Sequence, residues 1–194
     1  NLKGIRSQLF TCDINTKNAP ACYFSDHKFN ICECSNKNYV NLLLEKCLEN
    51  NINLIIPTID NELLPLSKEK DLFKNNGIEI ILSDTEFINK CNDKRKTNIL
   101  FNEINVDSPE IYQKDKLLFP CFMKPVSGSS SKGIRKIMSK DQLAESEFNN
   151  DNNIFQELID SSWSEFTLDL FYDKNSFLKA CIPRKRIEVR NGEI

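Results

Sequence analysis

Residues 119–134 read FPCFMKPVSGSSSKGI. An apolar run ends on Lys124, and small residues between Gly128 and Gly133 follow at once. LLFPCFMKP (117–125) before the loop and GIRKIM (133–138) after it predict two strands with a small-residue turn between them. That context separates the loop from the familiar phosphate binders. A Walker A loop needs G-x-x-x-x-G-K-[ST] between a strand and a helix, and here Gly133 is followed by Ile134 and Arg135. The dinucleotide fingerprint G-x-G-x-x-G is absent as well. What remains is a hairpin hinged at Gly128 and Gly133. Ser129, Ser130 and Ser131 would offer donors to phosphate oxygens, and Lys124 a point charge beside them. The same residue types also make an ordinary exposed serine-rich turn.

Downstream of this hairpin, Ser139 and Gln142 predict a capped helix to about Phe148, and NNDNN (149–153) a turn. IFQELI (154–159), EFTLDLFYD (165–173) and SFLKACIPR (176–184) read as antiparallel strands, the last two joined at 173–175. Upstream the pattern alternates. GIRSQLFTC (4–12) reads as a strand ending at Asp13, while 14–34 shows no clear period. Val40, Leu43, Leu44, Cys47 and Leu48 trace one helical face. INLIIPT (52–58) and IEIIL (78–82) are short apolar runs that predict strands buried on both faces. A helix is expected from Asp60, with Leu63, Leu66 and Phe73 inward and Gly77 as its stop. Ser83 and Glu86 form an S-x-x-E box that predicts one helix through about Phe101. Strand alternating with helix over roughly the first 90 residues implies a parallel α/β sheet, followed by an antiparallel architecture. Such a sheet normally has a βα unit ahead of GIRSQLF, so the chain is expected to be a piece of a protein of roughly 300 residues or more.

Composition excludes several function classes. Lys+Arg 26 against Asp+Glu 28 leaves a net charge of −2, without the basic excess that nucleic-acid binding requires. No apolar run approaches the roughly 18–20 residues of a membrane span, and no signal-peptide pattern opens the chain. A cytoplasmic protein is expected, with no nucleic-acid or membrane partner. The eight cysteines (12, 22, 32, 34, 47, 91, 121, 181) contain no C-x-x-C, and His27 is the single histidine. Closely paired zinc ligands are therefore missing. Cys47 and Cys121 sit in apolar runs as small hydrophobes, so reduced thiols are expected.

Lys94 in NDKRKT, Lys124, the serine loop, Gln156-Glu157-Leu158-Ile159 and Glu165 follow one another in an order that resembles the ATP-grasp family. IIPTIDNELLPL (55–66) and the Asp93-Lys94 pair resemble that family's N-terminal domain. FPxxxKP, QExI and PRKR segments look most like the carbamoyl-phosphate-synthase large-chain type and its stand-alone relatives. The resemblance implies a Rossmann-like, parallel-sheet pre-ATP-grasp domain over 1–90, its first βα unit missing. An ATP-grasp domain with antiparallel strands, incomplete at its C-terminus, would occupy 91–194.

It implies ATP as cofactor, with Lys94 and Lys124 on the phosphates and Ser127, Gly128, Ser129, Ser130 and Ser131 in the covering loop. Gln156, Glu157, Leu158 and Ile159 would read adenine, and Glu165 would accept hydrogen bonds from the ribose hydroxyls. Mg²⁺ is expected with ligands beyond residue 194, so no metal ligand is assigned within the chain. Arg184 and Arg186, with Lys185 and Arg190, either stabilise a transferring phosphoryl group or form a solvated basic stretch. Lys94 as an exposed helix lysine and Glu165 as a solvated acid are the plainer alternatives. Asp13, Asp60 and Glu62 lie at expected carboxyl ends of strands and point to an acceptor site or to turn capping.

The implied reaction is ATP-dependent activation of a carboxylate or bicarbonate as an acyl-phosphate, attacked by an amine or ammonia, the fragment itself being inactive. A non-catalytic ATP-binding module and a kinase with a hydroxyl acceptor are the alternatives. The oligomeric state is not legible.

Overall fold

A computed structural model describes residues 7–128, 133–159 and 162–187. Two compact units divide the chain, Asn1–Asn89 and Lys90–Ile194.

In the first unit, β1 (Phe10–Asp13) pairs in parallel with β2 (His27–Asn30), Phe10 opposite His27 and Asp13 opposite Asn30. β2 lies in the stretch where the sequence shows no period. Its four residues, HKFN, bring only Phe29 partly inward, so there is no alternation to read. Helix α1 (Tyr39–Glu49) buries Tyr39, Leu43 and Cys47, an i, i+4, i+8 stripe. The stripe is rotated from the expected one: Tyr39 takes the inward place and Leu48 faces out. β3 (Leu54–Ile55), α2 (Asp60–Lys68), α3 (Lys70–Asn75) and β4 (Glu79–Ile80) follow, with Leu54 opposite Glu79 and Ile55 opposite Ile80 in parallel.

The core of this unit gathers Tyr39, Leu43, Cys47, Leu66, Phe73, Ile78 and Ile80. Gly77, at φ +77, ends α3: its N–H meets the Lys74 oxygen at 3.0 Å and the Ile78 N–H meets the Phe73 oxygen at 3.0 Å. The strands were expected to be covered on both faces, and they are not. Ile78 and Ile80 face the helices, while Leu54, Ile56 and Ile81 are exposed.

The single helix expected from Ser83 is two, α4 (Thr85–Asn92) and α5 (Lys94–Glu103). Asp84, one residue after the predicted cap, accepts from the Phe87 N–H at 2.8 Å. The break falls at Asp93, whose extended backbone (φ −111, ψ 112) cannot continue a helix and whose carboxylate caps α5. Thr97 Oγ1 ties the junction by donating to the carbonyls of Lys90 at 3.0 Å and Asp93 at 3.2 Å.

The second unit is built on β5 (Ile111–Tyr112), β6 (Cys121–Pro125), β7 (Arg135–Ile137) and, after α6 (Glu145–Asn149), β8 (Asn153–Glu157). They form one antiparallel sheet in the order β5-β8-β6-β7. Cys121, Met123, Ile137 and Phe155 bury its core face. α6 starts at Glu145, later than the Ser139 cap predicted, and the Gln142 side chain instead takes the Met138 N–H at 2.9 Å. β9 (Phe166–Tyr172) and β10 (Leu178–Lys185) make an antiparallel hairpin. All eight thiols are free. No helix among the described residues is long and apolar enough to cross a membrane.

Candidate functional site

Strand alternation settles which residues of β6 share a face. Cys121 and Met123 point into the core, so Phe122 and Lys124 take the opposite face, with Gln156 and Ile154 as their partners on β8. Lys124 is half-buried there. Lys94 arrives from the first turn of α5. Its backbone N–H donates to the Val126 oxygen at 3.0 Å, and its ammonium donates to Gly128 O at 3.1 Å and Val126 O at 3.5 Å. Two lysines far apart in sequence therefore converge at the root of the glycine-hinged loop.

The electrostatics of this corner are unfavourable as it stands. Burial lowers the Lys124 pKa from the ordinary amine value, and the neighbouring Lys94 charge lowers it further. Burial likewise lowers Lys94, with the Asp93 carboxylate opposing the shift. Positive charges held together and partly out of water make a receptor for an anion, because a polyanion between them removes the repulsion. Gly128 (φ +110) and Gly133 (φ +72) flank the loop in conformations that L side chains rarely adopt. Ser127 is exposed at its start. Ser129, Ser130 and Ser131 lie outside the described residues, as does Arg190.

The segment expected to read a nucleobase has its side chains committed elsewhere. Gln156, buried, donates from Nε2 to the Pro109 oxygen at 3.0 Å, and Asn98 donates to the same oxygen at 3.1 Å. The Glu157 carboxylate accepts from the Glu110 N–H at 3.3 Å, while the Glu157 N–H meets Glu110 O at 2.8 Å. These contacts staple residues 109–110 to the end of β8. Leu158 and Ile159 run on past the strand, Ile159 exposed. What this stretch can present to a ligand is apolar surface and backbone.

On the hairpin, Glu165 forms an ion pair with Arg186 at 2.6 Å and Arg184 one with Asp169 at 2.5 Å. Asp169 is held below the usual carboxylate range by its bond from Arg184. Glu62 proves to be a capping residue. It accepts from the Thr58 and Ile59 N–H groups at 2.6 and 3.1 Å, and from the Tyr39 hydroxyl at 2.8 Å. Sequence reasoning missed Arg95, which grips Asp93, and Pro109 and Glu110, the partners of Gln156 and Glu157. Only the acidic–basic spacing of Asp93 and Arg95 carried a local signal. Among the described residues no group of three or more His, Cys, Asp or Glu could hold a metal ion.

A family model of ATP-grasp domains matches residues 91–194, and one described as the PylC-like N-terminal domain matches residues 2–81. The carbamoyl-phosphate synthase of Methanobrevibacter smithii is 28% identical over 126 residues, 59% of this chain and 34% of that protein. The chain thus spans about a third of the length of the curated relative it matches. Among solved structures, the biotin carboxylase domain of Hydrogenobacter thermophilus 2-oxoglutarate carboxylase, in complex with MgADP, ADP and bicarbonate, has a TM-score of 0.69 at 17% identity, covering 95% of this chain and 45% of its own. The Campylobacter jejuni biotin carboxylase complex with β,γ-ATP has the same TM-score at 16% identity, over 95% and 46%. At such identities the likeness is one of fold. With more than half of its length matched by the domain model, the chain belongs to the ATP-grasp family.

Proposed function

We propose that this chain is the nucleotide-binding part of a cytoplasmic ATP-dependent ligase, with residues 1–90 as its N-terminal α/β domain and 91–194 as its ATP-grasp domain. The ligase activates a carboxylate or bicarbonate as an acyl phosphate for attack by an amine or ammonia. The carboxylate oxygen attacks the γ-phosphorus and ADP leaves; the amine nitrogen then attacks the acyl carbon and phosphate leaves. One observation carries the reading: Lys94 and Lys124, from α5 and β6, come together at the root of the glycine-hinged loop, where burial lowers both amines and the Lys94 charge lowers Lys124 further. A triphosphate supplies the negative charge that this corner lacks. The nucleotide in the Hydrogenobacter thermophilus and Campylobacter jejuni structures supports the same class of ligand. The bicarbonate of the former and the activity naming the Methanobrevibacter smithii relative support the acceptor chemistry.

In this reading Leu158 and Ile159 flank the adenine with apolar side chains and backbone groups. Glu165 reaches the ribose hydroxyls by exchanging its Arg186 partner. Arg184 and Arg186 then stand as the candidates for charge stabilisation of the transferring phosphoryl group. Magnesium would offset phosphate charge in such a reaction, and among the described residues no group of three or more His, Cys, Asp or Glu could hold it.

Calorimetry of ATP binding tests the reading. A charge-assisted bond is worth about 1.5–3 kcal/mol, so Lys124→Ala should weaken ATP binding by about tenfold or more. Equal affinities would count against the assignment. Phosphate release that requires both a carboxylate (or bicarbonate) and an amine (or ammonia) distinguishes the ligase from a kinase.

A further inference from the structure

Asp93 reaches no expected ligand position, yet it governs how Lys94 enters the site. Its Oδ1 accepts from the Arg95 N–H at 2.9 Å and from Arg95 Nε at 3.1 Å, and its Oδ2 from Arg95 Nη2 at 2.8 Å. The carboxylate is thus both the cap of α5 and one half of a bidentate ion pair. Lys94 is the first residue of the helix so capped. Its N–H is one of the donors that a helix leaves without an internal partner, and it goes to Val126 O at 3.0 Å. The same residue's ammonium reaches Gly128 O at 3.1 Å. Backbone and side chain of one lysine therefore hold residues 126–128 together, which requires α5 to begin at this residue and at this angle.

We propose that Asp93 is a positioning residue for the anion site: by capping α5 it holds the Lys94 ammonium beside Lys124 instead of releasing it to solvent. The proposal deepens the nucleotide reading and rests on it. Asp93 also favours the charged form of Lys94 against the burial that opposes it. Asparagine caps helices as well as aspartate does, whereas alanine caps poorly. Asp93→Asn should therefore keep the geometry and Asp93→Ala lose it.

The test compares ATP and AMP binding by calorimetry in the wild type, Asp93→Ala and Asp93→Asn. AMP lacks the β- and γ-phosphates that the lysine pair would hold. Asp93→Ala should lose about fivefold in ATP affinity, the equivalent of a lost cap, with AMP affinity unchanged. Asp93→Asn should stay within about twofold of the wild type for both. Amide exchange at Lys94, protected by its bond to Val126 O, should quicken in the alanine variant alone. A general loss of stability would lower ATP and AMP affinity together and leave their ratio fixed. Wild-type binding of ATP with an unchanged ATP-to-AMP ratio in Asp93→Ala overturns the positioning role and leaves the nucleotide reading intact. An asparagine variant as poor as the alanine one overturns the capping route. Absence of ATP binding by the wild type overturns the nucleotide reading itself, and Asp93's role toward phosphates with it.

Discussion

At Gly133 a single hydrogen stands where any other residue has a carbon. Its φ of +72 is unfavourable for L side chains, and a Cβ built there would lie 3.0 Å from Pro125 Cγ. Gly133→Ala therefore meets two penalties, backbone strain and a contact with a rigid ring on the adjoining strand. It should destabilise the second unit by about 1–3 kcal/mol, the range for a residue forced into a sparsely populated region. Thermal unfolding of the variant, with Gly128→Ala beside it, checks this. Gly128 has open space around its position, so its alanine variant carries the strain without the clash and should be the milder of the two. Equal losses would remove the Pro125 contact as a cause. Cys47 shows the opposite case, a side chain whose chemistry is suppressed by its surroundings. Cys47 is buried in the first core, and burial pushes its thiol up to about 11, so it acts there as a small hydrophobe.

The informative element is α5. Apolar periodicity alone would run one helix from Ser83 to Phe101, and the structure divides it at Asp93. The division has an electrostatic signature. Bonds from Arg95 hold the Asp93 carboxyl below its ordinary value. A group with a depressed folded pKa contributes stability that is fully present above the unfolded value, about 3.9 for aspartate, and lost as pH falls through the folded one. The stability difference between wild type and Asp93→Asn should accordingly be largest at neutral pH and close in acid below about pH 4. Thermal melts of both proteins from pH 7 to pH 3 measure it. A difference that persists undiminished at pH 3 would mean the carboxylate's charge is not what Arg95 holds.

Among the described residues of the molecule, the β9-β10 hairpin displays a row of exposed apolar side chains. Phe166, Leu168, Leu170 and Tyr172 alternate along β9 and therefore share one face, as the sequence pattern predicts. All four are exposed, Leu168 at 59%. Two-stranded hairpins are marginal in water by themselves, and apolar patches of this kind bind hydrophobic probes. Replacing Leu168 and Leu170 together by threonine keeps β-propensity while removing two of the four positions. The double variant should lose a clear part of the wild type's fluorescence with anilinonaphthalene sulfonate, its far-ultraviolet circular dichroism unchanged. Undiminished fluorescence would place the accessible apolar surface on other elements.

Much of this architecture was legible before any coordinates. A period of 3.6 located α1 and a period of 2 located β9, while apolar runs marked β6 and β8, because burial writes itself into consecutive residues. Glycines bounded the loop, and Lys94 and Lys124 stood out by their places in ordered motifs. β2 and the two-residue β5 left no such trace, since neither carries a repeat or a continuous apolar run. Nor could the sequence say which groups would be occupied. Gln156 finds Pro109 47 positions away, Arg184 finds Asp169 15 away, and Lys94 finds Gly128 34 away. Those partnerships are set by strand register and by the entry angle of a helix, which bring distant residues within about 3 Å. Local pattern determined which residue types lie on which element. Tertiary packing decided which distant charges meet, Arg184 with Asp169 and Lys94 beside Lys124, because only strand register and helix placement bring them together.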